Sequence, residues 1–424
     1  MKVLIVTYYW PPSGGSGVQR WLKFVKYLQD FGIEPIVYTV AQPKYPILDT
    51  SLEKEIPGNI TILKQSILEP STIFSLFTKG KTQQAAGFLN PNPTFFGRVI
   101  QYIRANYFIP DARKYWVQPS VKYLKKYLKA HPVDAVITSG PPHSLHLIGL
   151  ALKNAIDVKW ISDFRDPWTE IDYFEQLPLT KKSIQIHQKL EQEVLEKSDT
   201  VLVVGKTMKD GFKNFINKIQ IVTNGFDTEV DSLENTLDTK FTITHVGLMN
   251  ADRNPTLLWK VISEIGKEDA DFAADCQINI VGKIALEVQG DLEKYKIRNI
   301  LDIGYVSHQE VKKHQQKSQV LLLSVNKVKS AKGIITGKIF EYLQAKRPIL
   351  AIGPSDGDLA EIIYETNAGV IVDFDDEINL KKSILEMYTS FKNGSLHSNS
   401  KNIEQYHRKA LTEQLANIIK ETVL

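Results

Sequence analysis

Short apolar runs alternate with helix-forming segments along the first half of the chain. The apolar run Val3–Thr7 is followed by a glycine-rich loop over Pro11–Gly17 and by an amphipathic segment from about Val18 to Phe31. Further runs that predict buried strands lie at Ile36–Val40, Ile60–Leu63, Ala135–Ser139, Trp160–Asp163 and Thr200–Val204. Strands and helices that alternate in this way predict βαβ units and a parallel, doubly wound sheet.

The alternation begins again after about residue 240. Strands of this second series are predicted at Phe241–Val246, Ile278–Val281, Leu301–Ile303, Val320–Ser324, Pro348–Ile352 and Val370–Val372. Helices are predicted over Pro255–Ile265 and near Lys338–Ala345. A series that restarts indicates two similar α/β domains rather than one extended sheet.

The length of 424 residues also favours two domains, because one hydrophobic core rarely grows so large. We expect an N-terminal Rossmann-like domain over residues 1–225 and a second one over 241–401. The acidic, polar stretch 226–240 is interpreted as a linker. An amphipathic helix is predicted at about 402–424 and is expected to pack back on the first domain.

Composition narrows the class of protein. The apolar fraction of 43%, the charged fraction of 24% and the net charge of +4 are ordinary for a globular protein. The single cysteine, Cys276, excludes an intramolecular disulfide and favours a reducing compartment. The opening apolar run is too short for a signal peptide, and no run approaches the ~20 apolar residues of a transmembrane helix. We therefore expect a cytoplasmic protein that is at most peripheral at the inner face of a membrane.

Three loops of the first half carry candidate chemistry. Glycines in Pro11–Gly17 let backbone N–H groups approach a phosphate at a helix N-terminus, although a plain tight turn explains them equally well. Ser139–Ser144 and Asp163–Trp168 each follow a predicted strand, at the sheet edge where ligands bind. Asp163, Arg165 and Asp166 are site candidates there, and the alternative is a structural Asp–Arg ion pair with Trp168 packed over the core.

Two loops of the second half place cations beside predicted helix starts. Arg253, in the loop Gly247–Pro255, could offer a rigid donor fork to a diphosphate, or could simply be solvated. The segment Gly333–Leu343 leads into a helix whose N-terminus attracts anions, and Lys338 adds a positive charge there. Glu341 could accept hydrogen bonds from the two hydroxyls of a ribose, or could only complement the helix dipole.

These five segments together resemble family 4 of the retaining glycosyltransferases, of the type that builds bacterial cell-surface polysaccharides. The resemblance extends to three further segments, which are Asn224–Asp227, Gly304–Ser307 and Lys346–Leu350. It implies an α/β fold of the GT-B type, in which two Rossmann-like domains turn their parallel sheets towards a central cleft. The donor nucleotide is then expected on the C-terminal domain and the acceptor on the N-terminal one.

The resemblance also implies residue roles. Glu341 matches the second glutamate of the family's paired motif, and the turn Gly304–Val306 resembles the backbone that lines the base. The donor-binding residues expected are Gly14, Gly15, Gly247, Arg253, Tyr305, Val306, Ile335, Thr336, Lys338 and Glu341. The catalytic residues expected are Arg165, Asp166, Arg253 and Lys338.

The sequence departs from the family pattern at two positions. Gly333 stands where the first glutamate, eight positions before Glu341, is expected. The pair Arg165-Asp166 stands where the family often has His-Asp, and we interpret it as a variant.

The function expected is transfer of a hexose-type sugar from a nucleoside diphosphate to a saccharide acceptor, lipid-linked in our interpretation, with retention at the anomeric carbon. No metal site and no cofactor are expected, because Arg253, Lys338 and a helix N-terminus would stabilise the leaving diphosphate. A nucleotide-sugar epimerase of the same fold and a non-catalytic nucleotide-sugar-binding subunit stay open as alternatives. A dinucleotide oxidoreductase is disfavoured, since the first loop lacks Gly-x-Gly-x-x-Gly.

Residues 79–130 carry ten lysines and arginines against one acid, Asp111, with aromatic residues between them. Such a stretch suits an anionic membrane surface, and a solvated basic helix is the alternative. Nucleic-acid binding is not expected, because no nucleic-acid module is recognisable.

Overall fold

The computed structural model describes residues 1–43, 45–67, 95–171, 174–216, 218–227 and 236–424. The chain divides into two compact units. Unit 1 consists of Met1–Asn224 together with Arg408–Leu424, and unit 2 consists of Gly225–His407.

Unit 1 is built on a sheet of seven parallel strands in the order β3-β2-β1-β4-β5-β6-β7. Their bounds are β1 Lys2–Val6, β2 Glu34–Val40, β3 Thr61–Gln65, β4 Ala135–Gly140, β5 Lys159–Phe164, β6 Thr200–Val203 and β7 Ile219–Ile221. The described helices before the crossing to unit 2 are α1 Ser16–Leu28, α2 Phe95–Tyr107, α3 Lys114–Ala130, α4 Ser144–Ile156, α5 Lys181–Lys197 and α6 Lys206–Phe212. Leu4 and Val6 are buried in one core and Val3 and Ile5 in another, which is why β1 is apolar throughout.

Unit 2 repeats the plan with six parallel strands in the order β10-β9-β8-β11-β12-β13. The strands are β8 Phe241–Val246, β9 Cys276–Val281, β10 Ile300–Gly304, β11 Val320–Ser324, β12 Ile349–Ile352 and β13 Gly369–Val372. The described helices are α7 Thr256–Glu268, α8 Ala270–Asp275, α9 Leu286–Lys294, α10 His308–Lys317, α11 Lys338–Ala345, α12 Asp358–Thr366 and α13 Glu377–Lys392.

The chain returns to unit 1 in its last helix, α14 Arg408–Val423, which packs against α1. Leu415, Ala416 and Ile419 of α14 are completely buried in the core beneath β1 and α1. The two crossings are joined inside unit 2, because Phe226 forms a β-bridge with His407 and donates its N–H to the Tyr406 carbonyl at 3.1 Å.

Each sheet contains one switch point, where neighbouring strands continue to opposite sides. In unit 1 it lies between β1 and β4, and in unit 2 between β8 and β11. Ligands of open parallel sheets bind beyond the carboxyl ends of the strands at such a point. The candidate residues of the sequence are accordingly found around two edges, one in each unit.

The predicted strands are all present, and the helix predicted at Lys338–Ala345 has those bounds. The strand β7 was not predicted from the sequence, because an apolar run of three residues is too short to be recognised as a strand. Of the stretch predicted as a linker, residues 228–235 lie outside the described residues. Its described ends are attached to unit 2, since Asp238 donates its N–H to the Lys317 carbonyl at 2.9 Å and Phe226 is buried.

The burial of α14 predicts that unit 1 depends on the end of the chain. Leu415→Ala should lower the free energy of unfolding by about 2–5 kcal/mol, because a fully buried leucine leaves a cavity. Denaturant unfolding followed by tryptophan fluorescence reports on this unit, since five of the six tryptophans lie in it. Leu424→Ala, at the exposed terminus, is the matched control and should change nothing; equal stability of both variants would contradict the prediction.

Candidate functional site

The switch point of unit 1 is organised by a buried carboxylate. Asp163 is the last residue but one of β5, has no exposed surface, and accepts hydrogen bonds at 2.8 Å from Arg20 Nη2, Trp21 Nε1 and Ser139 Oγ. Burial alone would raise the pKa of Asp163, but the charge and hydrogen bonds of Arg20 hold it below its ordinary value. The Asp–Arg pair considered from the sequence therefore exists, with Arg20 as the partner instead of Arg165.

Arg165 joins the backbones of the two loops beside this switch point. Its Nη1 donates to the Gly17 carbonyl at 2.8 Å, its Nε donates to the Gly140 carbonyl at 3.3 Å, and its Nη2 donates to the Pro141 carbonyl. Burial lowers the pKa of the guanidinium, and the carboxylates of Asp166 and Asp163 oppose that effect. Asp166 itself is exposed. In this structure Arg165 is a clamp between loops, and its catalytic role stays a prediction.

The Gly14–Gly15 loop lies on the other side of the same switch point. The Gly14 N–H is bonded to the Ile47 carbonyl at 2.9 Å. Gly15 precedes α1 with φ of 84°, a left-handed conformation that glycine adopts without steric penalty. The first turn of α1 has no side-chain cap and no acidic residue, so its positive end is uncompensated by side chains of its own.

His143, in the loop that follows β4, lies in a layer of rings. It is 7% exposed, stacks on Trp168 with ring centroids 4.9 Å apart, and neither ring nitrogen has a hydrogen-bond partner in the described residues. Burial, followed by nearby cationic groups, lowers the pKa of His143 well below its ordinary value. Trp168 is buried and donates its indole N–H to His187 Nδ1 at 2.9 Å. His143 is thus neutral and packed in this structure.

The switch point of unit 2 is closed by one hydroxyl. The ladder between β8 and β11 ends at the pair His245–Leu322. Beyond it, the Tyr342 hydroxyl accepts from the Val246 N–H at 3.2 Å and donates to the Leu322 carbonyl at 3.2 Å. Tyr342 has no exposed surface and belongs to α11, so this bridge fixes α11 to the edge of the sheet.

Lys338 begins α11 and folds over the loop that follows β8. Its Nζ lies 3.4 Å from His245 Nε2 and 3.5 Å from the Leu248 carbonyl oxygen. A Cβ on Gly247 would come within 2.9 Å of Lys338 Cε, and φ of 93° at this position also favours glycine. Burial, and then the charge of Arg253, lower the pKa of Lys338 to about 7, against the opposing effect of Glu341.

Arg253 approaches the same carbonyl from the loop after β8. Its Nη1 donates to the Leu248 carbonyl at 3.1 Å and its Nε to Asn326 Oδ1, in the loop after β11, at 3.0 Å. The two cationic nitrogens that meet at Leu248 are therefore within about 7 Å of each other. Two positive charges held so close repel each other, and a bound anion would relieve this.

The other predicted donor-site residues are placed around these cations. Glu341 is half-buried and accepts from Gln315 Nε2 at 3.0 Å. Ile335 and Thr336 are half-buried in the loop that leads into α11. Tyr305 is 87% exposed and Val306 half-buried, after the edge strand β10, two positions from β8 in the sheet. Gly333 lies in the short 3₁₀ turn Ala331–Gly333. The structure brings Gly247, Arg253 and Lys338 together. For the other predicted donor-binding residues it shows no contact with these three that would indicate a role.

Sequence reasoning missed four residues of this edge: His245, Gln315, Asn326 and Tyr342. Tyr342 follows Glu341 directly but occurs within an apolar helix face, where aromatic residues are ordinary core. His245 interrupts an otherwise apolar strand face, and that interruption was the one available signal.

The hydroxyl bridge generates a prediction about stability. Tyr342→Phe leaves a buried N–H and a buried C=O without their partner, and should lower the free energy of unfolding by about 1–3 kcal/mol. It should also speed hydrogen exchange at the Val246 amide. Tyr364→Phe is the control, because Tyr364 is 57% exposed. Unchanged exchange at Val246 in Tyr342→Phe would show that the bridge is not formed.

Comparison with known proteins gives a family match over part of the chain and a fold for nearly all of it. A family model described as Glycosyltransferase Family 4 matches residues 71–230. No curated protein matches the sequence. No helix in the described part of the chain combines the length and apolarity needed to cross a membrane.

Solved structures of the same fold cover nearly the whole chain. WaaG, a glycosyltransferase involved in lipopolysaccharide biosynthesis, matches with a TM-score of 0.54 and 13% identity over 98% of this chain and 99% of its own. The E. coli structure described as trehalose-6-phosphate bound with UDP-2-fluoro glucose matches at 0.60 and 12% identity over 99% of both chains. A UDP-N-acetylglucosamine 2-epimerase from Listeria monocytogenes, named as putative, matches at 0.54 and 12% identity over 99% of this chain and 96% of its own.

The resemblance predicted from the sequence is confirmed: residues 71–230 match glycosyltransferase family 4, and the chain has the α/β fold of the GT-B glycosyltransferases.

Proposed function

We propose that this protein is a glycosyltransferase that binds a nucleoside diphosphate sugar at the β8/β11 edge and transfers the sugar to a saccharide acceptor. The observation that carries the proposal is the convergence of Lys338 and Arg253 on one backbone carbonyl, at the switch point of unit 2. The family match supports a transferase of this kind.

The positive charges of this site complement the negative charge of a diphosphate. Lys338 forms no ion pair within the described residues, and its lowered pKa reflects burial beside a second cation. An anion placed between the two would favour the protonated lysine and remove the repulsion. The N-terminus of α11 adds partial positive charge from its backbone amides.

The same charges would assist the reaction. When the bond between the anomeric carbon and the leaving phosphate oxygen breaks, negative charge grows on the diphosphate. Fixed cations aimed at that charge stabilise the transition state without a divalent ion, and we propose a metal-independent reaction without a cofactor. Retention at the anomeric carbon is part of the proposal and rests on the family resemblance alone.

Glu341 is proposed to hold the ribose of the donor. Its carboxylate is half-buried one turn into α11 and already accepts one hydrogen bond from Gln315. A carboxylate has further acceptor positions, so ribose hydroxyls can join Gln315 rather than displace it. Tyr305 and Val306 are proposed to contact the base, and Gly14 and Gly15 to approach the phosphates.

Uridine diphosphate sugars are the first donors to test. The E. coli structure of the same fold holds UDP-2-fluoro glucose, and WaaG is described as acting in lipopolysaccharide biosynthesis. We propose a role in polysaccharide biosynthesis for this chain on that basis. The Listeria structure named as a putative epimerase has the same fold. An epimerase could use the same diphosphate site but would need no acceptor.

The donor site predicts a defined loss of affinity. Lys338→Met and Glu341→Gln should each weaken UDP-glucose or UDP-N-acetylglucosamine binding by about tenfold or more, since each removes a charge-assisted contact. Calorimetry measures this directly. Lys313→Met, an exposed lysine on α10, is the matched control. Affinity unchanged in Lys338→Met would refute the site.

Turnover then separates the alternatives. Release of nucleotide that requires a saccharide acceptor supports transfer, whereas an epimerised nucleotide sugar without acceptor supports the epimerase. Binding of the nucleotide sugar without any turnover supports the third alternative, a non-catalytic nucleotide-sugar-binding subunit. Activity abolished by EDTA and restored by magnesium or manganese would overturn the metal-free reaction.

We further propose that helix α2 places the enzyme on an anionic membrane surface at the cytoplasmic face, where a lipid-linked acceptor would be found. No residue of α2 is buried, and Phe95, Phe96 and Tyr102 are exposed, at 70%, 77% and 44%. The sequences of α2 and α3 contain seven lysines and arginines and no acid. Aromatic rings beside cations suit the interface of an anionic bilayer.

The two helices of this stretch differ. In α3 the apolar side chains Trp116, Leu124 and Leu128 are buried, so that helix packs its apolar face in the core, and Tyr115 is its one aromatic residue among the strongly exposed hydrophobic side chains of the described residues. Asp111 is engaged by the Ser144 hydroxyl at 2.8 Å. Lys79, Lys81 and Phe88 lie outside the described residues. The exposed rings of α2 are therefore the better candidates for insertion.

The double variant Phe95→Ser, Phe96→Ser should lose most of its co-sedimentation with vesicles containing anionic lipid. Each exposed phenylalanine that inserts contributes roughly 1.5–3 kcal/mol. Binding should also fall with salt, as the Debye length shrinks from ~10 Å at 0.1 M to ~3 Å at 1 M. Ile378→Ser, at an 81% exposed position of unit 2, is the control. Equal binding to neutral and anionic vesicles at low salt would refute the proposal.

A further inference from the structure

We infer that His245 is a positioning residue of the donor site: its neutral imidazole accepts a hydrogen bond from the Lys338 ammonium and holds that ammonium beside Gly247 and Leu248. The inference rests on the proposed diphosphate site but assigns a role to a side chain that the proposal does not use.

His245 occupies a place where an apolar residue is expected. Side chains of alternate strand residues share a face, and the preceding members of its row on β8, Phe241 and Ile243, are core residues. His245 is only 1% exposed, and it pairs with Leu322 across the switch point. A buried polar side chain at the end of an apolar row needs a partner, and the partner found is Lys338 Nζ at 3.4 Å.

The direction of this contact follows from chemistry. An ammonium has three donors and no acceptor, so Nε2 must accept and the ring proton must lie on Nδ1. The carbonyls of Leu322 and Leu248 lie within hydrogen-bonding reach of the ring and act to raise its pKa, although Nδ1 forms no well-aligned hydrogen bond within the described residues. Burying a polar ring at this place costs free energy of desolvation, so stability alone does not explain this histidine.

The surroundings keep the imidazole neutral. Burial, then Lys338 from α11, then Arg253 from the loop after β8 lower the pKa of His245 well below its ordinary value. Its acceptor nitrogen is therefore available throughout the range in which Lys338, with a pKa of about 7, gains and loses its proton. A hydrogen bond to the charged form favours that form. Burial and the charge of Arg253 disfavour the protonated form of Lys338, whereas the hydrogen bond to His245 favours it. The carboxylate of Glu341, on α11, also favours the protonated form.

This arrangement sets the pH range of donor binding. A diphosphate favours protonated Lys338, so the pKa of Lys338 rises on binding. Affinity is then level below about pH 7 and falls by up to about tenfold per unit above it, until the pKa of the complex is reached. Without the imidazole the pKa of free Lys338 is lower, and the fall in affinity begins at lower pH.

Three forms of the full chain test the role: wild type, His245→Leu and His245→Gln. The glutamine carbonyl can replace the Nε2 acceptor, whereas leucine cannot. UDP-glucose is the probe, because its diphosphate diester does not titrate between about pH 6 and about pH 9, and calorimetry gives its Kd across that range. We expect His245→Leu to bind UDP-glucose about tenfold more weakly than the wild type at pH 7, and its affinity to begin falling at a lower pH. We expect His245→Gln to recover most of the affinity. Identical pH profiles in all three would overturn the inference.

Two measurements need no nucleotide sugar, so they distinguish failure of this inference from failure of the proposed function. NMR titration of Lys338 should give a lower pKa in His245→Leu than in wild type, and a pKa near that of wild type in His245→Gln. Nitrogen shifts of His245 in the wild type should show the proton on Nδ1, which remains measurable if His245→Leu does not fold. His146→Leu, a buried histidine in unit 1, is the matched control and should leave Lys338 unchanged. A proton on Nε2, or an unshifted Lys338, would refute the positioning role.

Discussion

The fold depends on how each sheet is held together where neighbouring strands part. At a switch point the connections turn to opposite sides, so N–H and C=O groups near the strand ends lose their ladder partners. Unit 2 restores the connection with the Tyr342 hydroxyl, and unit 1 ties β5, β4 and α1 together through Asp163. Both side chains are inaccessible to solvent, and each anchors a helix whose N-terminus lies at the edge. The elements that carry the candidate chemistry are thereby held where the sheets open.

The cationic side chains at the two switch points have different partners. In unit 1 the Arg20 guanidinium is neutralised by Asp163, and Arg165 is engaged by three backbone carbonyls. In unit 2 Lys338 contacts a neutral ring and a carbonyl beside a second cation, and it forms no ion pair within the described residues, although the charge of Glu341 acts in its favour. A cation that is desolvated without an ion pair destabilises the protein, and binding of an anion would offset that cost. This asymmetry supports the assignment of donor binding to unit 2.

Much of this architecture could be predicted from the sequence, because parallel strands buried on both faces are apolar throughout and their spacing repeats in the two halves. Arg253 and Lys338 were also predictable, as cations next to glycine-containing loops at helix starts. Other features required coordinates. The partner of Asp163 is Arg20, 143 positions away in sequence, and no local pattern distinguishes it from the nearby Arg165. His245 and Tyr342 act through contacts between distant segments, and only proximity in space reveals them. The basic stretch looked uniform in sequence, yet α2 exposes its rings whereas α3 buries its apolar face.

The return of the chain in α14 has a consequence for biosynthesis. Unit 2 is continuous in sequence, so all of its residues are translated before α14. The core under α1 includes Leu411, Leu415 and Ile419 of α14, which are therefore translated after the whole of unit 2. The unit that begins first is therefore completed last, and its N-terminal sheet must wait, with part of one face uncovered, for the whole intervening unit. A nascent chain of this topology needs protection of that apolar face by a chaperone or by the ribosome surface until α14 is available to cover it.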